Sequence, residues 1–576
     1  MLSELLIKNG YVYDPINNIN GEVMDIAVKN GKIVDVKEID ITKAKVIDAK
    51  DKVVMPGGVD IHAHVAGPKV NMGRVMRPED HYKSFMKFVP SIRRSGSGRS
   101  VPSTTITGYR YARMGWTTVI EPASPPLKTR HTHDELNDIP IVDKAALLLM
   151  DANWFIFDYL ENKDYDRVAA FVAWILDALK CYAVKLVDPG EAESWSWGIV
   201  GLNFDEQIPG RNLTPRDIVT GLAKVNEMLN LPHSIHVHCN KLGEPGNYET
   251  TIKTMHSVRG IARSGRKGIH VTHVQFSSYM GSCWADLRSA SEKIAKYVNA
   301  HEHASIDMGQ VCFGDTTTMT ADADFEFTLF HLAKWKWSNM DVELECAAGI
   351  VPFNYKPSSY VHATQWAIGL ETALLIKDPW KIVLSTDHPN AAPFTKYPRI
   401  IAWLMSKKAR DEVIAKISRK AAKRLSLPAI DREMTLYEIA VMTRAAPAKL
   451  LGLSKFKGHL GVGADADIAI YDLNPAKLDL SKDYKAVVKA FRRAAYTIKD
   501  GEVVVVDGEV VNTTYGKTFY VKAEGLDEKL VNEVVQDISA KFKERYSVCL
   551  ENYVIGLNEL RRHHAIQVQP RRGRER

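Results

Sequence analysis

Asp60-Ile61-His62-Ala63-His64 sets two imidazoles two residues apart. In an extended chain such residues point the same way, so His62 and His64 can face one cation. Asp387 closes the apolar run Lys381-Ile382-Val383-Leu384-Ser385-Thr386-Asp387 and is followed by His388-Pro389-Asn390. A carboxylate there is costly to bury unless it binds a cation or moves a proton, although the N-cap of a following helix would also suit it. His238 ends the run Ser234-Ile235-His236-Val237-His238, and His236 shares its face, so spacing leaves either as a ligand. In Ile269-His270-Val271-Thr272-His273 the two histidines are three apart, on opposite faces of a strand. Only one is expected to point inward, and His273, nearer the carboxyl end, is the choice.

Lys185 stands inside the apolar stretch Ala183-Val184-Lys185-Leu186-Val187. A strand-end lysine reaching water, or an ion-pair partner, would have the same surroundings. Desolvation lowers a lysine's pKa, however, and the neutral amine can add carbon dioxide. The resulting carbamate offers two oxygens and can bridge two cations. Four histidines, one carbamate and one aspartate make a binuclear site of nitrogen and oxygen ligands, which suits zinc or another divalent metal.

Such side chains need a scaffold that brings strand ends together. Between residues 56 and 450 short apolar strands alternate with helical stretches. The strands include 58–62, 117–121, 183–187, 234–238, 269–273 and 381–387, and the helices include Pro215 to Leu229 and Ala285 to Asn299. Alternation over this length predicts an α/β fold, a (β/α)8 barrel of TIM type with the site at the carboxyl ends of its strands. Residues 1–55 and 451–518 read as β-rich, with hairpin signals at Asn9-Gly10, Asn30-Gly31 and Asp507-Gly508. They are expected to pair into one small composite β-sandwich domain. Residues 67–108 form an insertion after the first barrel strand, and its basic segment Arg93 to Arg99 is expected to be a lid. Residues 519–576 form a C-terminal extension. Its amphipathic stretch Leu526 to Tyr546 is expected to pack on the body or on a partner, and its basic end Arg571 to Arg576 to be solvated.

The chain has 576 residues and a formal charge of +7, a weak excess that does not argue for nucleic acid. It shows no signal-peptide pattern and no apolar run of membrane-spanning length, so a cytoplasmic protein is expected. The six cysteines, Cys181, Cys239, Cys283, Cys312, Cys346 and Cys549, form no C-x-x-C pair. This argues against an iron–sulfur cluster or any other redox centre in this chain.

Pro56 to His64, His238-Cys239-Asn240 and Ser385-Thr386-Asp387-His388-Pro389 resemble the cyclic-amidohydrolase branch of the amidohydrolase superfamily, which includes dihydroorotase and dihydropyrimidinase. Longer strings resemble the A-subunit family of formylmethanofuran dehydrogenases. They are Met76 to Tyr82, Thr107 to Ala112, Arg130 to Leu136, Pro245 to Thr251, Thr316 to Asp322 and Ile400 to Lys408. The tail beyond 520 matches poorly, and Asp188 stands where that family suggests asparagine.

The resemblance implies metal positions at His62, His64, Lys185 as carbamate, His238, His273 and Asp387. Asp387 would be the catalytic proton carrier, with Asn240 and His388 orienting ligands from outside. It implies a non-redox subunit that condenses formate with methanofuran to N-formylmethanofuran, or hydrolyses it, in one-carbon metabolism and methanogenesis. Formate would come from a tungsten- or molybdenum-pterin partner subunit within a complex that also holds an iron–sulfur protein. Alternatives are a subunit of a formyltransferase/hydrolase complex, a stand-alone dihydropyrimidinase-like cyclic amidohydrolase, and a non-catalytic relic scaffold.

Overall fold

The computed structural model describes residues 4–82, 98–341 and 345–571. Eight parallel strands form the central sheet. They are β1 (Gly58–Asp60), β2 (Trp116–Ser124), β3 (Asp143–Leu149), β4 (Ala183–Val187), β5 (Ile235–His238), β6 (Ile269–Val271), β7 (Ala304–Asp307) and β8 (Ile382–Val383). Each pairs in parallel with the next. Between β8 and β1 the ladder reduces to one parallel bridge, Ala63 with His388, where the His64 N–H donates to the His388 carbonyl at 2.7 Å. Below it the π-helical turn Val441–Ala445 fills the seam, and its Met442 carbonyl accepts from the Leu384 N–H. The sheet therefore curls into a barrel held shut near the site. Every residue of β3 and β4 is buried, as expected for strands covered on both faces.

Helices follow the strands, among them Thr129–Asp138, Tyr165–Ala178, Pro215–Met228, Tyr248–Ser257, Ser291–Ala300 and Tyr360–Leu375. Thr214 caps the third of these with a reciprocal Asp217 capping box, and Pro215 occupies its first turn. The helix expected from Ala285 starts at Ser291, because Arg288–Ser289 pairs with Tyr279–Met280. The run 381–387 is strand only over Ile382–Val383; beyond it the chain turns toward the seam.

The two ends of the chain build one connected nine-stranded sheet. Its junction is the antiparallel pairing of Val53–Pro56 with Ile468–Tyr471. Asn30-Gly31 and Asp507-Gly508 do form tight hairpin turns, with φ of 53° and 76°, and 47° and 69°. Asn9-Gly10 does not. Strand Leu5–Asp14 runs straight through it with a bulge, at the point where its parallel partner changes from Lys45–Asp48 to Val53–Pro56. A Cβ on Gly10 would lie 2.4 Å from Val54 Cγ2, so the glycine serves this close approach rather than a chain reversal.

The C-terminal extension joins the barrel sheet. Strand Thr518–Ala523 pairs with β3 at Lys144 and Ala145, whereas β4 pairs with β3 only from Leu147 on. Helix Glu528–Arg545 buries Val534, Ile538 and Phe542 in the barrel's hydrophobic core, and the Tyr159 hydroxyl donates to Asp537 at 2.7 Å. A buried ionic network ties the lower rim together. Lys457 meets Asp143, Asp465 and Asp467, and Lys499 meets Asp143, Asp467 and Asp500.

Between β7 and its helix lies an unforeseen insertion, a three-stranded antiparallel sheet (Gly314–Thr320, Ser338–Asn339, Gly349–Tyr355) with helix Ala323–Ala333. Helix Pro68–Met76, from the insertion after β1, packs on this sheet through Val70, with Val101, Met319 and Ile350. Of the expected lid, Arg93 to Ser97 lie outside the described residues, as do Arg572 to Arg576 of the basic tail.

Candidate metal centre

Five of the six residues singled out by the sequence lie on or just beyond the carboxyl ends of β1, β5, β6 and β8, Lys185 lies within β4, and all six are buried. Asp387 Oδ1 is 2.9 Å from His62 Nε2 and 3.3 Å from His64 Nε2. The His273 ring centre is 5.1 Å from that of His62 and 4.8 Å from that of His238. Two of these positions carry non-glycine backbone in the left-handed region, His273 at φ 34° and Asp387 at φ 47°. Such geometry persists only where surroundings enforce it, and it clusters at functional sites. Around His273 the enforcement is visible. Its N–H donates to Asp307 Oδ1 at 2.8 Å, and Gly309 packs so close that a Cβ there would sit 2.3 Å from the His273 Cβ.

The expectation that only one of His270 and His273 faces inward is overturned. Strand β6 stops at Val271, so the two-residue alternation does not extend to His273. His270 pairs in register with His236 on β5, stacks on its ring at 4.8 Å, and reaches Ser305 Oγ and Asp307 Oδ2 inside the barrel. His273 also turns inward, above it. The open choice between His236 and His238 has a similar answer, because both face the interior in different layers. His238 is the one beside His273, whereas His236 hydrogen-bonds to His62 from below.

Outer partners hold three of the four histidines by one ring nitrogen. His62 Nδ1 is 2.8 Å from His236 Nε2, His64 Nδ1 is 3.2 Å from Glu121 Oε1, and His238 Nε2 is 3.0 Å from Asp322 Oδ2. Such bonds orient a ring and leave its other nitrogen for a metal. Glu121 also accepts from the Val65 and Ala66 N–H groups, which shapes the turn after His64. Asp307 ends β7, and Glu121 closes the strand run 117–121 readable in the sequence, although β2 continues to Ser124. Asp322 comes from the unforeseen insertion and carried no such signal.

Asn240 donates to Asp188 and to the Pro189 carbonyl, bracing the loop after β4 against the loop after β5. His388 meets His64 through its backbone carbonyl, while its ring packs edge-on against Phe394. Asp188 and Asn240 are thus directly bonded.

Burial lowers the pKa values of His62, His238 and His273 well below the usual imidazole value, and the Lys185 ammonium adds to the effect. Lys185 itself is pushed down to about 7 by burial, against the pull of Asp387, Asp307 and Asp151. Its Nζ has no hydrogen-bond partner, nor has the buried His273 Nδ1, and His62 Nε2 and Asp387 Oδ1 face each other at 2.9 Å without forming a hydrogen bond. Four such atoms in one place are expensive unless something binds them. Neutral imidazoles and a carboxylate are donors that divalent cations take, and a lysine near neutrality has the free amine that can add carbon dioxide. His62, His64 and Asp387 present atoms close enough together to hold one ion.

A family model described as "Amidohydrolase family" matches residues 45–505. The chain belongs to the amidohydrolase family. This amidohydrolase is 53% identical over 558 residues to Protein FwdA of Methanocaldococcus jannaschii, covering 96% of each chain. It is 37% identical over 543 residues to the A subunit of the formyltransferase/hydrolase complex Fhc of Methylorubrum extorquens, covering 92% of this chain and 94% of that one. Among solved structures it matches the formyltransferase/hydrolase complex (FhcABCD) from Methylorubrum extorquens in complex with methylofuran. The TM-score is 0.89 at 33% identity, over 99% of this chain and 100% of that one. The resemblance carried by the long sequence strings is therefore borne out. Among the described residues no helix is long and apolar enough to cross a membrane.

Proposed function

We propose that the chain makes and breaks an N-formyl amide, condensing formate with a methanofuran-type amine and hydrolysing the product. The observation that carries this reading is the full-length match to a structure solved with methylofuran, together with the convergence of His62, His64, Lys185, His238, His273 and Asp387 at one barrel mouth. These residues would hold two divalent cations, zinc by preference, with Lys185 bridging as its carbamate. When bound, such cations supply Lewis acidity toward a carbonyl oxygen and a lowered pKa for water.

The chain's own contribution is orientation and proton transfer. Asp387, set against His62 and His64, accepts a proton from the attacking water or amine and returns it to the departing group. Asp307 and Gly309 fix His273, while Glu121 and Asp322 fix His64 and His238. Helix Pro68–Met76 and the three-stranded sheet close over this end of the barrel, where the Met319 N–H donates to Asn390 Oδ1. The chemistry is not redox. Formate would be supplied in the cytoplasm by a tungsten- or molybdenum-pterin subunit, within an assembly that includes an iron–sulfur protein.

A second setting is favoured by the Fhc match, namely a formyltransferase/hydrolase complex without redox partners, in which this subunit performs the same bond chemistry. Co-purification with a pterin subunit separates the two settings. The common chemistry is tested by offering the metal-loaded protein N-formyl furfurylamine, N-formylmethanofuran, dihydrouracil and hydantoin. Formate release from the formamides, with the rings untouched, is expected. Turnover of the rings alone would replace the proposal with a cyclic amidohydrolase.

A further inference from the structure

Below the candidate ligands a file of imidazoles descends through the barrel. His62 Nδ1 is 2.8 Å from His236 Nε2, His236 Nδ1 is 3.0 Å from His233 Nε2, and His233 Nδ1 is 2.7 Å from the Leu450 carbonyl oxygen. His233 precedes β5 at the amino end of the barrel, and all three rings are buried. A carbonyl oxygen only accepts, so its end of the file sets the direction of every bond above it. His233 Nδ1 must carry the hydrogen, which leaves His233 Nε2 a lone pair. His236 Nδ1 then donates to His233, and His236 Nε2 accepts from His62 Nδ1–H. The lone pair of His62 is thereby assigned to Nε2, the atom facing Asp387.

We infer that His233 and His236 are positioning residues that lock His62 in the tautomer able to bind a metal through Nε2, with the Leu450 carbonyl as the fixed terminus. Each internal bond of the file joins two ring nitrogens, so each needs one donor and one acceptor, which neutral rings supply. An imidazolium with two donors would break the sequence of bonds. The file is a lock and not a proton path, because it ends on a carbonyl that cannot pass a proton on. The inference also decides between two groupings. His62, His236 and Asp307 likewise present atoms close enough together to hold an ion. A cation there that took His62 through Nδ1 would need the nitrogen that here is a donor to His236, so the metal belongs one layer higher, with His64 and Asp387.

This rests on the metal-centre reading but not on the substrate, so it is tested by metal binding in the full chain. Wild type, His233→Phe and His233→Gln are loaded with zinc in bicarbonate and titrated with a chelator. Their cobalt(II) forms are compared by visible absorption. Phenylalanine keeps a ring but offers neither bond, whereas glutamine supplies a donor for Leu450 and an acceptor for His236. His233→Phe is expected to weaken metal binding about 10–100-fold and shift the cobalt spectrum, although His233 is not itself a candidate ligand. His233→Gln is expected to recover most of both. Wild-type affinity and an unchanged spectrum in His233→Phe would overturn the inference. Should that variant not fold, anomalous diffraction from the zinc-loaded wild type decides. Metal against His62 Nε2 supports the lock, and metal between His62 Nδ1, His236 and Asp307 overturns it. A wild type that binds no zinc would remove the metal-centre reading itself.

Discussion

Asp387 Oδ1 lies 2.9 Å from Nε2 of His62, although the two residues come from opposite ends of the barrel sequence. The contact stands at the seam where the curled sheet meets itself, beside the Ala63–His388 bridge. The residue expected to move the proton is therefore fixed by the same closure that completes the barrel. Asp387→Asn preserves shape while removing the base. It is expected to lower formamide turnover by about 10²–10⁴-fold, measured as steady-state formate release by folded protein. A change under threefold would mean another group carries the proton.

Lys185 is the other residue on which the site depends. Lys185→Ala removes the amine that would carry the carbamate, and metal content after dialysis is expected to fall well below that of the wild type. Added acetate, a carboxylate small enough to enter the space, is expected to restore part of the metal and of the activity. Undiminished metal content in Lys185→Ala would show that the lysine does not bridge.

The buried network under the barrel makes a prediction about stability. Lys457 neutralises Asp143, Asp465 and Asp467 where almost no water reaches. Removing one partner leaves the others charged and buried, so Lys457→Met is expected to cost about 3–5 kcal/mol in chemical denaturation. The site lies at the other end of the barrel, so the turnover of whatever protein folds should be unchanged.

Lys144 gives a pH dependence. Its buried ammonium donates to the Ile139 carbonyl at 3.0 Å, and burial pushes its pKa down to about 7. From about pH 7 to the ordinary lysine range the unfolded chain holds a proton there that the folded chain lacks. Stability therefore rises with pH across that window, and the penalty is full below it. Relative to Lys144→Met, the wild-type Tm is expected to climb between pH 7 and 10. Parallel curves would contradict this assignment.

The sequence made these candidate ligands visible because ligand-type side chains closing apolar strands are costly unless used. His62, His64, His238, His273 and Asp387 stand that way, and Lys185 stands inside such a strand. What it concealed has physical reasons. Strand β3 reads Ala145-Ala146-Leu147-Leu148-Leu149, a run that suits a helix as well as a strand, and β7 is only four residues long. His270 and His273 misled the alternation argument because the strand stopped between them. Asn9-Gly10 carries the hairpin signature but answers to the packing of Val54, a contact made only in three dimensions. Asp322, which holds His238, sits in an inserted sheet whose local pattern says nothing of the barrel beneath it.

The most direct test is a diffraction map of the protein crystallised with zinc and bicarbonate, with anomalous data collected at the zinc edge. Two peaks between the imidazoles of His62, His64, His238 and His273, with extra density continuing from Lys185 Nζ toward both, are the predicted result. A bare Lys185 with one peak or none would contradict it.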